Sequence, residues 1–247
     1  MGYKTGLCSV SFRCLSAEEI IAATQQADLT VIEWGSDIHA PCNDPDRLNA
    51  IAQLQKRSGI TCCSYGTYFE LGVTPFAELE GYIRAAKLLD THILRLWCGN
   101  KGSAEYTIEE KKALFSTCKA AADMAARENV ILCMECHGNT YTDTKESAYE
   151  LMQTVNSAHF RMYWQPDPSR STEENIAYAK LLCPYTEHLH VFHWKNREKY
   201  PLQDAAAIWK EYLACFGGDR VLLLEFMPDD QVETLRREAA SLKEIAK

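Results

Sequence analysis

The sequence predicts an α/β fold, a single (β/α)8 barrel (TIM barrel) spanning residues 1–247 with its site at the C-terminal ends of the strands. Three observations predict it. Short runs rich in apolar and β-branched residues recur along the whole chain, amphipathic stretches with helical spacing separate them, and the count of runs is eight. The runs are LCSVSF (7–12), LTVIEW (29–34), ITCCSY (60–65), HILRLW (92–97), VILCME (130–135), FRMYW (160–164), LHVFH (189–193) and VLLLEF (221–226). Strand and helix in strict alternation mean parallel strands joined by crossovers. Eight such units fit the roughly 250 residues typical of this barrel. A doubly wound open sheet is the competing architecture, but it carries a glycine-rich turn after its first strand, and SFRCLSAEE has none. No Pro/Gly/Ser-rich linker divides the chain.

The helical stretches include SAEEIIAATQQA, PDRLNAIAQLQKRS, PFAELEGYIRAAKLLD and TIEEKKALFSTCKAAADMAARE. Several open on a hydroxyl residue followed by a glutamate that can complete a cap: Ser16 with Glu19, Thr107 with Glu110, and Thr172 before Glu174.

Composition narrows the function classes. The chain is 47% hydrophobic and 24% charged, with a formal net charge of −8. That charge disfavours a nucleic-acid backbone as partner. No apolar run approaches the ~20 residues of a membrane span, and the N-terminus MGYKTGLCSVSFRC lacks the apolar core of a signal peptide. The eleven cysteines are odd in number, and several, such as Cys8, Cys62, Cys63 and Cys133, lie inside apolar runs, where reduced thiols act as small hydrophobes. Cys133 and Cys136 mimic a CxxC but sit at a strand end with side chains on opposite faces, so no redox motif is expected. A cytoplasmic protein is the expectation, with a homo-oligomer left open.

In such a barrel the C-terminal strand ends meet at one mouth. The second strand ends in Glu33 with His39 beyond, and the third runs into Tyr65 and Tyr68. The fourth offers Arg95 and Trp97, the fifth Glu135 and His137, the sixth Trp164, Gln165 and Asp167. The seventh offers His193, Lys195 and Arg197, the eighth Glu225. Residues two apart share a face, which groups Glu135 with His137, and His193 with Leu189 and Val191 while turning His190 away. Glu135, Gln165, His193 and Glu225 would then supply three oxygens and one nitrogen, a set that suits a divalent ion such as Mn²⁺, Mg²⁺, Co²⁺ or Zn²⁺.

Through IEWGSDIHAP, SYGTYFELG, LRLWCG, MECHGNTYTDT, YWQPDP, HVFHWK and LLEF, in that order, the chain resembles the xylose isomerase-like TIM barrels, the sugar phosphate isomerases and epimerases that include ketose 3-epimerases and, more distantly, abasic-site endonucleases. The resemblance implies metal held by a Glu, an Asp, a His and a Glu on strands five to eight, here Glu135, Gln165, His193 and Glu225. Gln165 departs from the usual Asp. Asp167 shares its face but lies beyond Pro166. Two carboxylates, an amide and a neutral imidazole leave a divalent site near zero net charge, which implies weaker affinity and a more electrophilic ion.

Such a site acidifies a carbon-bound proton between a carbonyl and a hydroxyl by stabilising an enediolate, and Glu135 and Glu225 are the candidate acid and base. His39, Arg95, His137 and Arg197 would hold substrate oxygens, and Trp34, Tyr65, Trp97 and Trp164 would form apolar walls suited to sugar C–H faces. Lys195 and Arg197 make the loop after strand seven basic, whereas MPDD after strand eight is acidic, which favours an unphosphorylated sugar or polyol. Glu33 reads as a group that fixes Arg95 or a nearby loop. The leading expectation is a metal-dependent isomerase or epimerase of a sugar or sugar derivative. The alternatives are a keto-polyol dehydratase, a phosphodiesterase on damaged DNA, which the net charge opposes, and a non-catalytic sugar-binding barrel.

Overall fold

The structure, a computed structural model, describes residues 2–247. Its strands are β1 (Lys4–Cys8), β2 (Val31–Gly35), β3 (Thr61–Leu71), β4 (Ile93–Cys98), β5 (Ile131–Glu135), β6 (Phe160–Trp164), β7 (Thr186–Val191), β8 (Trp194–Lys195), β9 (Glu198–Lys199) and β10 (Val221–Leu224). β1 to β7 and β10 close into a parallel barrel in which β10 pairs with both β7 and β1, while β8 and β9 form a separate antiparallel hairpin. The expected (β/α)8 barrel is therefore the observed fold.

Eight helices surround it: α1 (Ala17–Gln26), α2 (Pro45–Ser58), α3 (Leu79–Leu88), α4 (Ile108–Glu128), α5 (Lys145–Val155), α6 (Thr172–Leu182), α7 (Ala206–Leu213) and α8 (Leu235–Ile245). Capping boxes close α1 through Ser16 and Glu19 and α4 through Thr107 and Glu110. At α6 the cap is Ser171 with Glu174 rather than Thr172, because an N-cap needs extended backbone one residue before the first helical one. The first strand also begins and ends earlier than its apolar run. Residues 9–12 form a 3₁₀ turn, in which Ser9 Oγ accepts the Gly35 amide at 2.9 Å.

Strand alternation divides the side chains into two cores. Leu7, Ile32, Leu94, Leu132, Trp164, Leu189, Val191, Leu222 and Leu224 face the helices and join one large apolar cluster with them. Cys8, Val31, Ile93, Cys133, Tyr163, Val221 and Leu223 fill the barrel's interior. The interior is apolar low down and polar toward the C-terminal ends, where Glu33, Arg95, Glu135, His190 and Glu225 are all buried. Gly66 makes room for that polar layer, since a Cβ there would lie 2.7 Å from Glu33 Oε1 and 2.9 Å from Arg95 Nη2.

All eleven cysteines are free thiols, six of them buried. Cys133 belongs to the barrel interior and Cys136 to the outer core, on opposite faces as their spacing requires. No helix of the described residues is long and apolar enough to cross a membrane.

Candidate active site

A cavity of about 500 Å³ opens at the C-terminal mouth of the barrel, lined among others by Arg13, Tyr68, Arg95, Trp97, Glu135, His137, Gln165, Trp194, Glu225 and Phe226. At its base stands His190. The register pairs His190 of β7 with Leu223 of β10, so the imidazole points inward, one layer below Glu225. His190 Nδ1 lies 3.1 Å from Glu135 Oε1, 3.3 Å from Gln165 Oε1 and 3.5 Å from Glu225 Oε2. Its Nε2 lies 3.2 Å from Glu33 Oε1.

This is where the structure departs from the sequence reading. His193 lies beyond the end of β7, its Nδ1 faces the Pro201 carbonyl at 3.1 Å, and its ring packs on Tyr200. It does not join Glu135, Gln165 and Glu225; His190 does. The physical reason is alternation: Leu189 and Val191 are needed under the helices, so the face His193 would share with them is the outer one. The signal is in LHV, where Leu189 and Val191 share the face that joins the core against the helices and His190 takes the other.

The charges interlock. Arg95 donates from Nη1 to Glu135 Oε2 at 3.0 Å and from Nε to Glu33 Oε1 at 3.4 Å. Trp97 Nε1 also donates to Glu135 Oε2, and Ser64 Oγ donates to Glu33 Oε2 at 2.8 Å. Burial works against the ionised Glu33, but His190 and Arg95 outweigh it and draw its carboxyl down to about 2. Glu135 is likewise held well below the carboxylate range, against burial, by Arg95 and His190. Glu225 goes the other way: burial raises it, and His190 and Arg95 only partly offset that. Burial lowers His190, yet the Glu225 and Glu33 carboxylates lift it well above the ordinary histidine value.

The donor chemistry fits a divalent cation. Three oxygens face one ring nitrogen whose other nitrogen meets a carboxylate, so in the absence of an ion the imidazole needs protons on both nitrogens to avoid an acceptor–acceptor clash. Ligands bonded at about 2.1 Å to one ion sit roughly 3.0–3.4 Å from their neighbours, much like these nitrogen–oxygen distances. A Glu33 carboxylate on the outer nitrogen is the usual means of orienting a ligating histidine. Cys8 Sγ, a His190 nitrogen and a Glu225 oxygen also lie within 4.8 Å of one another. Burial pushes the Cys8 thiol up to about 12, so it remains a protonated, poor ligand. Asp167 does not take the place of Gln165, because its carboxylate is turned onto the amide and hydroxyl of Ser169 and toward Arg170.

The other expected contacts divide. Arg95, Trp97 and His137 line the cavity, His137 with its ring 5.1 Å from Trp97 and Nδ1 2.6 Å from the Gly138 carbonyl. His39, Tyr65, Trp34 and Trp164 do not line it. His39 is buried against the Leu15 carbonyl, and Tyr65 donates to the Ala40 carbonyl at 2.5 Å. Trp34 donates to Gln55 on α2, and Trp164 packs among Trp209, Tyr212 and Phe216. Trp34, Tyr65 and Trp164 follow the outward parity of their strands, and His39 lies in the turn after β2. Lys195 and Arg197 are exposed on the β8–β9 hairpin, away from the cavity lining. Arg13, Arg170 and Trp194 line the cavity without having been singled out in the sequence; all three sit in loops or a short hairpin, where no periodicity marks them.

A family model described as a xylose isomerase-like TIM barrel matches residues 21–204. The chain is similar to a 3-dehydroshikimate dehydratase of Bacillus anthracis, at 24% identity over 214 residues, 78% of this chain and 71% of that protein. Among solved structures it resembles a probable 3-DHS dehydratase of Bacillus anthracis, with a TM-score of 0.82, 19% identity, and 97% and 98% of the two chains covered. A D-psicose 3-epimerase with D-tagatose from Clostridium cellulolyticum H10 follows at TM-score 0.71, 14% identity and 98% of each chain. A xylose isomerase-like TIM barrel protein from Mycobacterium smegmatis in complex with magnesium gives 0.73, at 10% identity over 99% and 96%. At these identities the structural likenesses speak for the fold.

Proposed function

The chain belongs to the xylose isomerase-like TIM barrel family, and from that premise we propose that it is a divalent-metal-dependent lyase that dehydrates a polyhydroxylated ketone. The observation that carries this reading is the convergence of Glu135, Gln165 and Glu225 oxygens on His190 Nδ1 at the base of the cavity. Those four side chains would hold the ion, with Glu33 orienting His190. When bound, the ion supplies electrophilic polarisation of a carbonyl and its neighbouring hydroxyl, acidifying the carbon-bound proton.

The protein's own groups divide the remaining work unequally. Glu135 is immobilised: Arg95 and Trp97 both donate to one of its oxygens, and His190 faces the other. Glu225 meets only His190 among the described residues, lines the cavity, and has its affinity for a proton raised by burial. It is the carboxylate suited to accept the substrate proton. His137 and Trp97 form one wall above it.

An epimerase that removes a proton on one face and returns it on the other is best served by two carboxylates open to proton exchange, and here Arg95 and Trp97 both occupy Glu135 while Glu225 carries no such donors. The sequence similarity to a dehydratase across 78% of the chain supports the same branch. The test is incubation of the protein with Mn²⁺ or Mg²⁺ in D₂O with 3-dehydroshikimate, and separately with D-tagatose or D-psicose. Loss of one water by mass spectrometry from the first, together with uptake of deuterium beside its carbonyl, is the expected result. Conversion of a ketose to its epimer without dehydration would move the assignment to the epimerases, and no label uptake in any substrate would end it.

A further inference from the structure

Expelling a hydroxyl as water needs a proton donor besides the base, and the cavity contains a group suited to it. Tyr68 lines the mouth on β3, separated in the barrel by β2 and β1 from β10, at whose end Glu225 lines the same cavity. Its ring is fixed edge-on to Trp97, with centroids 5.4 Å apart, and lies 5.9 Å from the Arg95 guanidinium carbon. Its hydroxyl oxygen accepts a hydrogen bond from Arg13 Nη2. Arg13 is in turn held by Asp37, whose Oδ2 accepts from Nε at 2.6 Å, and by the Val10 carbonyl, which accepts from Nη1 at 3.2 Å.

The phenol oxygen therefore receives a charged donor and keeps its own proton to give. Among the described residues no protein acceptor takes that proton, and Tyr68 and Arg13 both border the cavity. We propose that Tyr68 is the acid that protonates the departing hydroxyl, with Arg13 and Asp37 as positioning residues for its oxygen. This rests on the lyase reading above.

Burial raises the Tyr68 hydroxyl, against the pull of Arg95 and Arg13, so the neutral form that carries the proton is the resting one. The step balances without any further reactant. The C–H bond breaks, its proton passes to Glu225, and its electron pair forms the new C=C bond. The C–O bond breaks with its pair on oxygen, and that oxygen takes the Tyr68 proton and leaves as water. The transient phenolate rests beside the Arg13 guanidinium until solvent at the open mouth returns a proton to Tyr68 and removes one from Glu225.

Proton abstraction and water loss are separable, and the experiment exploits this. With 3-dehydroshikimate, Mn²⁺ and D₂O, Tyr68→Phe should lose water on the order of 10²–10⁴-fold more slowly, as for removal of a general acid. Recovered substrate should nonetheless carry deuterium beside the carbonyl. Arg13→Lys and Asp37→Asn, tested in case Tyr68→Phe folds poorly, should shift the ratio of exchange to elimination in the same direction by less. Water loss at the wild-type rate in Tyr68→Phe overturns the proposal. So does a parallel fall of exchange and elimination, which would make Tyr68 a binding or packing residue. A wild-type protein that neither exchanges nor eliminates takes down the lyase reading first and the role of Tyr68 with it.

Discussion

Adding a divalent ion to the metal-free protein should expel a proton from His190. Without an ion, both imidazole nitrogens face acceptors: Glu33 on one side, and Glu135, Gln165 and Glu225 on the other. The ring is therefore held protonated well above the ordinary histidine value. An ion bonded to Nδ1 must displace that proton. Each pH unit by which the solution lies below the raised value costs the ion a factor of about ten, or ~1.4 kcal/mol. Affinity for Mn²⁺ should then climb about tenfold per pH unit wherever the pH lies below that raised value. Titration calorimetry in buffers of different ionisation enthalpy should count close to one proton released per ion. The slope steepens toward acid, where Glu225, raised by burial, also begins to hold a proton.

The stability of the metal-free protein gives the sign check. A histidine raised in the folded state stabilises fully below its unfolded value, about 6.5, and that stability is lost as pH rises through the folded value. Glu33, drawn down to about 2, behaves oppositely: its contribution is present above about pH 4.3 and lost as pH falls toward 2. The metal-free protein should accordingly melt lower as the pH is raised through the folded His190 value, and Mn²⁺ should restore the loss. A flat affinity across this range, with no proton released, would refute the arrangement of donors around His190.

Three further substitutions follow from the same geometry. Gln165→Asp adds a carboxylate to the donor set and should tighten Mn²⁺ binding by on the order of tenfold or more in a chelator competition; unchanged retention would argue that Gln165 is no ligand. Gly66→Ala forces a Cβ to within 2.7 Å of Glu33 Oε1 and 2.9 Å of Arg95 Nη2. It should cost about 1–3 kcal/mol in urea denaturation and loosen metal binding as well. Trp164→Ala, on the outer face of β6 among Trp209, Tyr212 and Phe216, should cost about 3–5 kcal/mol of stability while changing the KM of the folded fraction far less than Gln165→Asp changes metal binding.

The barrel was legible because every strand must satisfy the helices that cover it. An outer face of Leu, Ile, Val and Trp cannot be hidden in a sequence, and the capping signals at Ser16 and Thr107 marked where the next helix begins. Strand limits were less legible. The run SVSF looks extended but coils, and SYGTYFEL, which looks like a loop, prolongs β3 to Leu71 with a shift in register after Gly66. That prolongation carries Tyr68 to the cavity rim. Its direction depends on a β irregularity that single-sequence alternation cannot count through.

The site divides along the same line. Glu135 and Glu225 were found because a carboxylate ending an apolar strand has no structural excuse without a partner. Alternation groups His193 with Leu189 and Val191 and sets His190 apart, but that shared face is the outer one, and β7 ends at Val191 before reaching His193. A polar residue on the inner face of a barrel strand is itself the anomaly to follow, since the outer face takes the apolar residues first. Metal analysis separates the two histidines. His190→Ala should abolish Mn²⁺ retention after dialysis and leave Glu33 with Arg95 and Ser64 alone, whereas His193→Ala, losing only a bond to the Pro201 carbonyl and contact with Tyr200, should retain the ion. The opposite outcome would mean that the loop after β7 folds inward when metal is present, and that the face assignment of His193 depends on the ion rather than on the strand.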